Sequence, residues 1–127
     1  MTALENSVYA ALGQFAALSA LVATRIYPDI APQGVAKPYV VWEEISSVPI
    51  ADLDGSGDDS AAMDVERIQV ACWAGTAARA REVAIQARLA MAAASQFKSR
   101  LIDSRMLFDP ETKLRAVQQD FLLWLKT

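Results

Sequence analysis

In this 127-residue chain the residues best equipped for chemistry are carboxylates. Asp52, Asp54, Asp58 and Asp59 crowd into the stretch Ala51-Asp-Leu-Asp-Gly-Ser-Gly-Asp-Asp-Ser60. Asp52-x-Asp54-x-Ser56-Gly57 copies the opening of a calcium-binding EF-hand loop, with Gly at the sixth position. The twelfth position, where a bidentate Glu belongs, is Met63, and the flanks read as strands rather than helices. The stretch is therefore read as a solvated, mobile acidic loop at about 50–62, with turn chemistry throughout and no metal. Glu43 and Glu44 are neighbours in a strand pattern. They point to opposite faces and cannot work as a carboxylate pair. Gly55-Ser56-Gly57 precedes a strand, not a helix N-terminus, so no phosphate cradle forms. Cys72 is the single cysteine and histidine is absent. That removes disulfide scaffolds, Cys/His zinc sites, Ser-His-Asp triads and Cys-His dyads. No catalytic group and no cofactor is expected.

The elements that place these residues are legible from spacing. Thr2 and Glu5 form a T-x-x-E capping box. Leu4, Val8, Leu12, Phe15, Leu18 and Val22 then recur at helical intervals, with a break expected near Gly13. The longest uncharged run, Asn6 to Thr24, includes Asn6, Ser7, Gly13, Gln14 and Ser19. It reads as an amphipathic helix rather than a membrane span. The first ten residues carry no Lys or Arg, so no signal peptide is expected. Pro28, Pro32, Gly34 and Pro38 limit regular structure to a short extended piece at Arg25–Tyr27. Tyr39–Ser46 and Val65–Ala74 are strands, the second alternating Ile68, Val70 and Cys72 with Arg67, Gln69 and Trp73. Gly75-Thr76 caps a helix reaching about Ser95. Arg105–Phe108 and Leu114–Leu125 form a hairpin closed by a type I turn at Asp109-Pro110-Glu111-Thr112. The expected fold is α+β: one domain over 1–127, in the order α-β-β-α-β-β. About four antiparallel strands carry two main helices on one face.

The faces of these elements suggest association. In the second main helix Ala80, Val83, Ala84, Ala87, Ala90, Met91 and Ala94 form a broad apolar side. Ala78, Ile85, Leu89 and Ala92 form another, separated from the first by Arg79 and Gln86 on one flank and Arg81 and Arg88 on the other. Two apolar sides need two covers. Either the sheet and the first helix supply them, or Ile85 and Leu89 meet another subunit. Trp42 shares a face with Glu44, Trp73 with Arg67 and Gln69, and Trp124 with Gln118 and Asp120. All three are placed on the outer, mixed face of the sheet, as interface aromatics or beneath the loops at 28–38 and 50–62. Ile68, Val70, Cys72, Val117, Phe121, Leu123 and Leu125 are the core candidates. Net charge is −3 but split: residues 1–66 hold two bases and ten acids, and residues 67–127 hold ten bases and five acids. The halves either neutralise each other within a monomer or suit head-to-tail association. With a pI near 4.8, strong nucleic-acid binding is not expected.

Four features, in order and spacing, resemble the tail completion (tail-terminator) family of long-tailed bacteriophages and prophages. An opening helix leads to Arg25-Ile26-Tyr27-Pro28. Ala31-Pro32-Gln33-Gly34 is followed by Pro38-Tyr39-Val40-Val41. An Asp-Leu-Asp-Gly loop follows at 52–55. Arg67-Ile68-Gln69-Val70 and Trp73-Ala74 then feed a helix, the Asp109-Pro110-Glu111 hairpin and a last Phe121/Trp124 strand. Ala71-Cys72 departs from the more polar strand expected there. The resemblance implies a virion protein of the tail, assembled in the host cytoplasm without a membrane. Its subunits would form a ring of six copies that caps the head-proximal end of the tail tube, stops its growth and joins it to the head–tail connector. DNA would pass through without specific binding. Other connectors or minor tail proteins fit nearly as well. A small-ligand-binding regulatory domain is the reading from another class; it needs a pocket with convergent polar groups.

Overall fold

The structure is a computed structural model, and it describes residues 3–49 and 64–125. The acidic stretch at 50–62, with Asp52, Asp54, Asp58 and Asp59, lies outside the described residues. Helix α1 (Ala3–Gly13) stops at the expected break and α2 (Ala16–Val22) follows it. The Ser19 hydroxyl donates to the Gly13 carbonyl at 3.0 Å, satisfying one acceptor freed at the break. Strands β1 (Ile26–Pro28), β2 (Tyr39–Pro49) and β3 (Asp64–Ala74) come next, then α3 (Ala77–Ala93), β4 (Phe97–Phe108) and β5 (Arg115–Leu125).

The α+β class stands, but the count is five strands and three helices among the described residues. The sheet is mixed, in the order β1-β2-β3-β5-β4. The short piece after α2 docks parallel to β2, pairing Ile26 with Val40 and Pro28 with Trp42. The long strands β2, β3, β5 and β4 are antiparallel to one another in turn. Strand β4 runs eight residues earlier than the spacing suggests. Its first part, Phe97-Lys-Ser-Arg-Leu-Ile-Asp-Ser104, is mostly polar because the strand lies at the sheet's edge.

All three helices lie on one face, as expected. One core joins Leu4, Val8, Leu12, Leu18 and Val22 to Val83, Ala87, Ala90 and Met91 and to Val40, Ile68, Val70, Cys72, Phe121 and Leu123. Helix α3 packs on β3, β5 and β4 while α1 and α2 pack on α3. Its broad side is mainly alanine, so sheet and helices approach it together on that side. The first helix does not cover the second apolar side, and Ile85 and Leu89 stay exposed. Thr76 caps α3 as its type and place suggest: its hydroxyl accepts from the Arg79 N–H at 3.1 Å.

Trp42 is a correction. It lies on the helix-covered face, opposite Val70, and is 1% exposed. Glu44 shares that face but is exposed, and the extra residue Ile45 bulges immediately beyond it. Polarity at Glu44 reports a place past the core's margin, not an outward-facing strand side. The turn after β4 is one residue wider than a simple four-residue closure. The Lys113 N–H donates to the Asp109 carbonyl at 2.8 Å, with Lys113 left-handed at φ 62°. Asp109 holds it through Oδ1 to the Glu111 N–H and Oδ2 from the Thr112 hydroxyl, each 3.0 Å.

Candidate functional site

Two surfaces gather the remaining groups. The first is where α3 meets the edge strand β4. Arg81, Ile85 and Arg88 from α3 and Ser104, Arg105 and Met106 from β4 enclose a hollow of about 360 Å³. Helical spacing places Arg81, Ile85, Arg88 and Leu89 on adjacent turns. Ile85 is 57% and Leu89 48% exposed. Ile102, Met106 and Phe108 add exposed apolar area along β4. The Arg115 guanidinium stacks 4.7 Å from the Phe108 ring centroid. Beneath, the Gln119 amide donates to the Ala84 carbonyl at 3.2 Å and ties α3 to β5. Its Oε1 is buried without a partner. Of the residues expected from sequence, this surface brings together Ile85, Leu89, Arg81 and Arg88. It also adds Met106 and Phe108, whose strand the sequence shows but not their exposure, and Ile102, which lies in the polar first part of β4 that carries no strand signal.

The second surface is the sheet face away from the helices. Asp120 sits at its centre with its side chain 3% exposed. Arg67 Nη2 reaches Asp120 Oδ2 at 2.7 Å, and Gln69 Nε2 donates to Oδ1 at 3.2 Å. Arg105 bridges Asp103 at 3.1 Å and approaches Asp120 at 3.8 Å. The group spans β3, β5 and β4. A buried carboxylate is tolerable because its acceptors are filled by charged and amide donors. Sequence spacing puts Arg67 and Gln69 of one strand and Asp120 of another on the outer face of the sheet without making them neighbours. Only the β3–β5 register, which sets Gln69 opposite Asp120, joins them.

Beside this cluster lies a hollow of about 320 Å³, walled by Tyr39, Trp73, Glu43 and Gln118 and rimmed by Asp29–Ala31. Asp29 turns the chain there with φ 65°, its N–H donating to the Trp42 carbonyl at 2.8 Å. Burial, then the charge of Asp109, raises the Tyr39 phenol above its ordinary 10.0. Trp73 and Trp124 are half-buried, and pairing to Ala116 and Val65 sets both on this helix-free face. The segment 29–31 folds over the hollow beside Trp73.

Cys72 is wholly buried, and desolvation pushes its thiol up to about 12, so it stays protonated and unreactive at neutral pH. Among the described residues no three His, Cys, Asp or Glu side chains gather as a metal site. No described helix is long and apolar enough to cross a membrane.

The family model for tail completion protein gp17 matches residues 6–126. This chain belongs to that family. As a member it is a structural protein of the phage tail. Among solved structures it is similar to a chain of the virion of a native gene transfer agent particle. The TM-score is 0.75 at 20% identity, covering 98% of this chain and 95% of that one, a likeness of fold. No curated protein sequence matches it.

Proposed function

We propose that this tail completion protein forms a closed ring of six copies on the head-proximal end of a tail tube. The ring ends tube growth and presents the surface that the head–tail connector joins. Family membership over residues 6–126 is the observation that carries this reading. The chemistry of the surfaces supports it. Ile85, Leu89 and Met106 form an apolar patch rimmed by Arg81, Arg88 and Arg105, a composition suited to protein contact rather than catalysis. Trp73 and Trp124 supply aromatic area on the other face, whereas Trp42 is a core residue and drops out of the interface set. A closed ring needs heterologous contacts, in which one patch meets a different one. Glu43 and Glu44 on β2 and Lys98, Arg100 and Arg105 on β4 supply groups of unlike charge for such a contact.

Asp52, Asp54, Asp58 and Asp59 face the channel in this reading, where their charge repels DNA and lets it slide without sticking. Partners are further copies, the tube protein and the connector, in a virion tail put together in the host cytoplasm.

The test is assembly. Light scattering and electron microscopy of the purified chain should show a ring near six times 13.8 kDa, alone or on tube ends. Added to growing tubes, the protein should stop their lengthening. Tubes that lengthen unchecked in its presence would exclude the terminator role. Neutralising the four aspartates together should impair DNA delivery; unchanged delivery removes them from the channel.

A further inference from the structure

The sheet has two unfinished edges of opposite character. Strand β4 is one: among the described residues it pairs only with β5, and its other side carries a row of backbone N–H and C=O groups with no strand beside it. The second is the far half of β2. Strand β1 covers only Val40–Trp42, so β2 from Glu43 to Pro49 has β3 on one side and, among the described residues, no strand on the other. Open edges of this length recruit another strand unless they are blocked.

Their side chains differ in sign. The β4 edge exposes Lys98, Arg100 and Arg105 against one acid, Asp103. The β2 edge carries Glu43 and Glu44 and no base between Tyr39 and Pro49. Both are broken by a one-residue bulge that leaves an isoleucine exposed, Ile45 in β2 and Ile102 in β4. Two like edges would repel by charge, whereas one of each kind attracts. Direction also fits. The long strands alternate along β2, β3, β5 and β4, so a second copy set beside β4 in the same orientation brings its β2 antiparallel to it.

We infer that copies of this chain join by strand addition, the basic β4 edge of one protomer pairing antiparallel with the acidic Glu43–Pro49 edge of the next. The inference rests on the ring reading and names its seam. The contact is heterologous, so it propagates head to tail until a ring closes. Strand pairing supplies affinity, and the Glu43/Glu44 and Lys98/Arg100/Arg105 charges exclude the wrong edge-to-edge match.

Cysteine cross-linking in the full chain tests the seam, since Cys72 is buried and silent. With Ile45→Cys and Ile102→Cys in one chain, mild oxidation should give a ladder of covalent multimers. Either substitution alone should give none. A covalent dimer from one single variant marks a two-fold contact and overturns the inference, as does the lack of a ladder from the double variant. Charge reversal is the second arm. Glu43→Lys/Glu44→Lys and Lys98→Glu/Arg100→Glu should each lose the assembled species. An equimolar mixture should regain it, because each reversed edge then faces its complement. If both reversed variants assemble alone, the edges are not the seam. Assembly of the unmodified chain without a ladder defeats the seam and leaves the ring reading standing. Absence of assembly both in solution and on tubes defeats the ring reading itself.

Discussion

Asp120 is the single residue on which the helix-free face depends. Replacing it with Ala leaves Arg67 and Arg105 facing each other and strips the Gln69 amide of its acceptor. Lost hydrogen bonds to a charged group cost about 1.5–3 kcal/mol, so Asp120→Ala should lower the denaturant midpoint by that equivalent at an unchanged slope. Cys72 makes a second claim at this scale. Burial raises its thiol from 9.0 to about 12. Between those values the unfolded chain gives up the proton and the folded chain keeps it. The contribution of Cys72 to stability is therefore fully present below pH 9 and is lost progressively as pH climbs toward 12. Urea titrations from pH 7 to 11 should show that decline, and Cys72→Ser should flatten it. At neutral pH, alkylating reagents should label Cys72 only after unfolding.

At the scale of elements, α3 separates folding from association. Ala80, Val83, Ala84, Ala87, Ala90 and Met91 are buried on one side, and Ile85 and Leu89 stand exposed on the other. Ile85→Lys with Leu89→Lys should change monomer stability by no more than about 0.5 kcal/mol each, as surface substitutions do. The same pair should abolish or sharply reduce ring formation in light scattering; intact rings would remove this side of α3 from the interface. Strand β3 and helix α3 were readable because their periods are clean: Ile68, Val70 and Cys72 at two, the alanines at three and four. The face of β2 was not. Tyr39, Val40, Val41 and Trp42 are all apolar, so alternation is silent, and Glu44 marked the end of the core rather than a side. Strand β4 was hidden for a different reason. An edge strand buries little, and Lys98, Ser99, Arg100, Asp103 and Ser104 carry no hydrophobic signature. The Asp120 cluster needs strand neighbours that spacing along one chain does not encode.

At the scale of the whole molecule, charges of opposite sign stand at the two sides of the sheet. Glu43 and Glu44 lie toward one side of the sheet, and Lys98, Arg100 and Arg105 lie on the strand at the other. An assembly steered by such a field weakens as ions screen it, over about 10 Å at 0.1 M and about 3 Å at 1 M. The assembled fraction should therefore fall between those salt concentrations while the circular dichroism of the subunit stays constant. A salt-insensitive assembly would assign the association to apolar contact at Ile85, Leu89 and Met106 instead.

The position of β5 bears on timing. It is inserted between β3 and β4, although β4 precedes it in sequence. On a translating ribosome β4 emerges before its strand partner, and synthesis must reach Leu125 before the pairing is complete. A nascent chain thus lacks the geometry to recruit a finished copy, and competence to assemble arrives only after β5 is made.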